Sequence, residues 1–234
     1  MEITPIAYIH NGFKEKFGIP RQSGKAASVV SKIIFEPEFR DLNALSEIEG
    51  FSHLWLLFDF SLAHKEGWSP TVRPPRLGGN KRVGVFASRS PFRPNNIGLS
   101  AVKLIGIEHS KDCGAVLSVS GADLLDGTPI YDIKPYIPYA DCIPDAAEGY
   151  TKLTKDYRLK VDFPEDLILK LPETDRIAVT ECLAEDPRPS YQNAAERIYT
   201  MSYGDFDISF KVRLDTLIVT SVQPNIHSKT ATNV

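Results

Sequence analysis

Short runs of β-branched, aromatic and aliphatic residues, each cut off by Gly, Pro, Asn or Asp, leave this chain few folds to choose from. Ile3–Ile9, Ser28–Phe35, His53–Phe60, Val83–Phe86, Leu99–Ile107, Ala115–Val119 and Ile130–Ile133 are the strand candidates of the N-terminal half. One short helix is expected there, over Leu42–Glu49, ended by Gly50. So many short strands with so little helix favour a small antiparallel β-barrel, closed or nearly closed, over a parallel sheet.

The composition shifts at Cys142–Lys155, which reads as a linker. Beyond it Pro164–Leu171 and Ile177–Glu185 have helical spacing, and the prolines of DPRPSY (Asp186–Tyr191) stop the second helix. Arg197–Tyr203, Phe206–Arg213 and Leu217–Val222 form an expected three-strand meander, its first hairpin turning at Gly204-Asp205. The expected architecture is therefore mainly β, with a barrel domain over residues 1–145 and a small α+β domain over 146–234. The polar tail His227–Val234 lies beyond it.

Charge is distributed unevenly over this frame. Between Gly67 and Ile107 stand Arg73, Arg76, Lys81, Arg82, Arg89, Arg93 and Lys103, with no acidic residue among them. The whole chain sums to −3, so the remaining residues carry −10. Several of these arginines lie in Pro- and Gly-rich loops (RPPR, FRPNN), where a stiffened backbone loses less entropy when an anion binds. A phosphate backbone or an anionic small molecule fits such a face, and a merely solvated basic surface is the plain alternative.

Several classes are excluded by what is missing. No stretch approaches the ~20 apolar residues of a membrane span. MEITPIAYIHNGF lacks the order of a signal peptide, and Cys113, Cys142 and Cys182 form no C-x-x-C pair, so a reducing, cytoplasmic setting is expected. There is no G-x-G-x-x-G after a strand, no Walker A loop and no H-E-x-x-H, and the five histidines show no metal-ligand spacing. No metal is expected. Polar groups concentrate instead at strand ends: Pro20-Arg21-Gln22, His64-Lys65, Arg89–Arg93, and Asp123–Thr128 (DLLDGT).

Three long strings then point further. EGFSHLWLLFDF, TVRPPRLGGNKRVGVFASRSPFRPNNIGLS and DLLDGTPIYDIKPYIPYAD resemble the TsaA-like (YaeB) family over nearly the whole chain, DPRPSY included. The resemblance implies a tRNA adenine-N6 methyltransferase acting beside the anticodon. Its methyl donor, S-adenosylmethionine (SAM), would sit in a small β-barrel without the Rossmann glycines. It maps cofactor binding onto Pro20, Arg21, Gln22, His64, Lys65, Arg89, Leu99, Asp123, Leu124, Leu125, Asp126, Gly127 and Thr128. It also implies a homodimer, and a substrate adenine at tRNA position 37 already carrying N6-threonylcarbamoyl.

Within that implication, Asp126 is the expected acceptor for the N6 proton, and Arg89 or Arg93 the expected anchor for the threonyl carboxylate. Phe92 is the better base-stacking candidate beside Tyr131 and Tyr136; barrel packing is the alternative for all three, and for Tyr131 it fits at least as well. Arg73, Arg76, Lys81 and Arg82 are expected on phosphates, with Asp186, Arg188 and Tyr191 on the tRNA or active-site side. Two other readings stay open: a non-catalytic RNA-binding barrel, and a SAM-dependent methyltransferase with another substrate.

Overall fold

The computed structural model describes residues 2–77, 81–188 and 196–225. Its N-terminal part comprises β1 (Ala7–His10), β2 (Val30–Phe35), β3 (His53–Asp59), the short pair β4 (Thr71–Val72) and β5 (Val83–Gly84), then β6 (Ile97–Ser110), β7 (Gly114–Ser120) and β8 (Thr128–Pro135). Six of these strands hydrogen-bond in a ring, β1-β2-β7-β6-β3-β8, and β8 closes it by pairing with β1. Every pairing in the ring is antiparallel.

Period-two alternation explains the interior. Ile33 and Phe35 of β2, Leu54, Leu56 and Phe58 of β3, and Leu117 and Val119 of β7 all point inward and are buried. Bulges in the β3–β8 ladder at Leu57/Phe58 and in the β6–β7 ladder at Leu104/Gly106 add local bend. Gly98 faces Phe58 across the β3–β6 ladder, and a Cβ there would stand 2.3 Å from the Phe58 ring. Only glycine lets that aromatic lie flat on the neighbouring strand.

The expected helix at Leu42–Glu49 is not formed. Its place is taken by two 3-10 turns, Leu42–Leu45 and Ile48–Gly50. Ser46 turns to ψ 133° and Glu47 adopts the left-handed φ of 65°, which interrupts the helical ladder.

After β8 come α1 (Pro138–Asp141), β9 (Lys160–Asp162), α2 (Glu165–Ile168), α3 (Glu173–Ala184), β10 (Tyr199–Tyr203), β11 (Phe206–Arg213) and β12 (Thr216–Pro224). The linker stretch is largely exposed, although Gly149–Leu153 winds into a 3-10 turn. The expected meander forms as β10-β11-β12, turning at Gly204 with φ 56°. A fourth strand, β9, joins β12 in parallel. Its three residues, Lys-Val-Asp, carry too little apolar pattern to be read from sequence.

Helix α3 begins a turn earlier than its apolar spacing suggests, after Pro172, with Glu173 and Asp175 favouring its positive end. It lays Ala178, Val179, Cys182 and Leu183 on the sheet. Burial pushes the Cys182 thiol strongly upward, so that cysteine is inert packing. This second core also takes in Phe13, Ala26 and Val29 from the segment between β1 and β2. Gly18 (φ 100°) presses against Met201, where any side chain would collide.

Candidate functional site

Antiparallel register brings the functional loops to one end of the ring. Asp59 ends β3 opposite Ile97 at the start of β6, and Phe58 pairs with both Gly98 and Ile130. The turns after β3 and before β6 and β8 therefore converge there. They meet the Ile19–Gln22 segment around a cavity of about 710 Å³, the size of a site for a drug-sized ligand.

The lining contains Pro20, Arg21, Gln22, Arg89, Phe92, Arg93, Leu99, Asp123, Leu124, Leu125 and Thr128, all singled out from sequence. Arg89 donates to the Gln22 side-chain oxygen at 2.7 Å, tying two loops together across the opening. Ser100 Oγ donates to Asp123 at 2.5 Å on the floor. Burial pushes the Asp123 carboxyl up, while the Ser100 bond, backbone N–H groups and the Arg89 charge pull the other way. Asn96 fixes the wall by donating to the carbonyls of Pro91 (2.6 Å) and Ala63 (3.4 Å).

Other expected residues lie elsewhere. His64 and Lys65 stand outside the lining: His64 bonds Asp59, and Lys65 holds its ammonium 5.1 Å over the Phe92 ring. Asp126 and Gly127 are also outside it. Asp126 accepts from the Asn11 N–H (3.0 Å) and Lys14 Nζ (2.7 Å), with His10 Nδ1 at 3.3 Å. Burial raises that carboxyl's pKa, but Lys14, the Asn11 N–H and the His10 charge outweigh burial and hold it below the usual range. Tyr136 packs on Trp55, with ring centroids 5.4 Å apart.

Arg73, Lys81 and Arg82 are exposed. Arg76 is not presented to solvent in that way. Its guanidinium donates to the carbonyls of Thr154, Tyr157 and Glu185 and to Glu185 Oε2, and it lies over the Tyr157 ring. Glu185, only 3% exposed, also pairs with Arg158. Next to it Arg188 grips Asp186, which accepts from Tyr157 as well, and Arg21 donates to the Arg188 carbonyl. The DPRPSY segment thus reaches the cavity wall through Arg21. Tyr191, within that segment, lies outside the described residues.

Sequence reasoning passed over Phe58, Asp59 and Ser100 of the lining, and Asn96, which braces it. FDF (Phe58–Phe60) at the end of an apolar strand was the available signal for Asp59, because an acid closing such a run sits at a barrel mouth.

Comparison with known proteins fixes the context. The family model described as the tRNA-methyltransferase O N-terminal domain matches residues 8–142, and that of the TrmO C-terminal domain matches residues 156–225. The chain belongs to the tRNA-methyltransferase O family. It is 39% identical to the tRNA (adenine(37)-N6)-methyltransferase of Escherichia coli K12 over 90% of this chain and 93% of that one. To the protein so named in Eikenella corrodens it is 44% identical, over 74% and 97%. A crystal structure of TrmO from Pseudomonas aeruginosa superposes with a TM-score of 0.77 at 35% identity, covering 95% of this chain and 98% of that one. No described helix is long and apolar enough to cross a membrane, and no described cluster of His, Cys, Asp and Glu could hold a metal.

Proposed function

We propose that this member of the tRNA-methyltransferase O family transfers a methyl group from SAM to N6 of the adenine at position 37 of tRNA. Relatives similar over nearly the full chain bear that activity in their names, and others are named as SAM-dependent methyltransferases. The observation that carries the reading for this chain is the cavity at the barrel end, acidic on its floor and basic at its rim.

The donor set suits a sulfonium cofactor with an ammonium group and an adenine. Asp123 offers a carboxylate to a cation, Phe58, Leu99 and Leu124 offer apolar walls, and Arg21, Gln22 and Arg89 frame the opening with Pro20, Leu125 and Thr128. Lys65, held over the Phe92 ring, would complete the rim. When bound, SAM supplies an electrophilic methyl, so the protein needs no covalent intermediate of its own. The chain's work is to orient the acceptor nitrogen, exclude water and take up its proton.

The exposed Arg73, Lys81 and Arg82 would meet phosphates of the anticodon loop, and Arg93 would hold an anionic threonylcarbamoyl group on the adenine. Phe92, half of it open, would stack on a splayed base. We infer further a homodimer in the cytoplasm, a reading the three free cysteines suit. Incubation with methyl-labelled SAM and two tRNA samples, with and without N6-threonylcarbamoyladenosine, tests the whole. Label entering only the modified tRNA is the expected result. Label in neither, with tRNA still bound, would point to an RNA-binding module or to a different methyl acceptor.

A further inference from the structure

Transfer of a methyl to an exocyclic, conjugated nitrogen needs a group to take its proton, since that lone pair is delocalised until the N–H bond breaks. Asp126, the acceptor expected from sequence, already accepts from Lys14 Nζ and the Asn11 N–H. Among the described residues only two carboxylates line the cavity, Asp59 and Asp123. Asp123 is committed on the floor, accepting from Ser100 and from the backbone N–H groups of Asp123 and Ser23.

Asp59 stands at the mouth, 13% exposed, with its Oδ1 2.7 Å from His64 Nε2. Burial first, then the Asp59 charge, raise the pKa of the Tyr131 phenol. A carboxylate can only accept, so Nε2 of His64 carries the proton toward Asp59 and Nδ1 is left as a bare acceptor. No described protein group bonds Nδ1, and the His64 side chain is 58% exposed. A base whose tautomer is set by a held acid is the recurring arrangement of proton-abstracting sites.

We propose that His64, oriented by Asp59, removes the N6 proton of the target adenine, with Asp59 as the positioning residue. The N6–H bond breaks and its proton passes to His64 Nδ1. The nitrogen keeps the electron pair and bonds the methyl carbon, while the pair of the broken C–S bond stays on sulfur. The imidazolium is stabilised by the Asp59 charge and returns its proton to solvent. The proposal rests on the methyltransferase reading above.

The test uses the full chain with SAM and modified tRNA, and the variants His64→Ala and Asp59→Asn. At saturating donor and tRNA, His64→Ala should lose about 10²–10⁴-fold in single-turnover transfer and recover part of it with added imidazole, while its SAM affinity by calorimetry stays within about threefold. Nitrogen NMR of the free protein should show His64 protonated at Nε2 and bare at Nδ1, and Asp59→Asn should abolish that preference and slow transfer. Loss of SAM affinity in proportion to rate would make His64 a cofactor ligand and overturn the proposal, as would undiminished transfer or a proton on Nδ1. Wild-type protein that methylates no tRNA would overturn the methyltransferase reading itself. A wild-type enzyme matched by His64→Ala would sink only the proposal made here.

Discussion

The barrel and the C-terminal sheet are built on the same physics but spend their surfaces differently. Both bury a continuous apolar core by period-two strands. The barrel leaves one end open, and nearly every polar group around its cavity hangs on a barrel loop. Among the described residues, none beyond position 128 joins that lining, yet the C-terminal unit holds two of the loops. Arg76 of the basic segment is anchored on Glu185, and Arg21 of the cavity wall is bonded to Arg188. The contrast teaches that one unit presents the chemistry while the other keeps the presenting loops still.

The largest effects should come from breaking the holding unit. Phe210→Ala removes a fully buried ring stacked near Phe17 and Tyr199, and should cost about 3–5 kcal/mol in denaturant unfolding. Next comes Glu185→Ala, which strands Arg76 without its buried counter-charge; about 3 kcal/mol of stability should go, and tRNA affinity with it. If stability fell but tRNA affinity did not, Arg76 would have no part in positioning the basic segment.

Changes on the presenting side should spare the fold. Asp123→Asn should weaken SAM binding about tenfold, read by calorimetry, by removing the one carboxylate on the cavity floor. Asp126→Asn should leave transfer at neutral pH within about twofold, because that carboxylate is already engaged by Lys14 and the Asn11 N–H, and should alter acid stability instead. Its folded pKa is held below the unfolded value of about 4, so its stabilisation is present above that pH and is lost as pH falls through the folded pKa. The variant should show a shallower loss of stability on acidification in pH-jump unfolding. Smallest of all, Arg82→Ala should reduce the salt dependence of tRNA binding by about one ionic contact.

Much of this division could be read from the amino acids. The strand runs around Ile33, Leu56 and Leu117 announce their own alternation, and Pro20–Gln22, Arg89 and Leu99 reach one cavity because strand ends converge there. What stayed hidden depends on partners distant in sequence. Arg76 looks like its exposed neighbours Arg73 and Arg82 until Glu185 is brought against it. Asp126 and Asp123 share one hexapeptide, but only the fold sends one carboxylate to Ser100 and the other to Lys14. The missing helix at Leu42–Glu49 failed for a local reason, the left-handed Glu47, which no apolar spacing reveals.

The segment between β1 and β2 has a consequence for the order in which the molecule comes into being. Phe13 meets Tyr203 edge-on, the Gly204 N–H donates to the Gly12 carbonyl, and Gly18 lies against Met201. A ribosome makes Pro20, Arg21 and Gln22 well over a hundred residues before the β10–β11 hairpin that supports their segment. Those three residues cannot settle until that hairpin has emerged. A nascent chain with a finished ring of strands therefore still lacks one wall of its cavity, and catalytic competence waits for the β10–β11 hairpin.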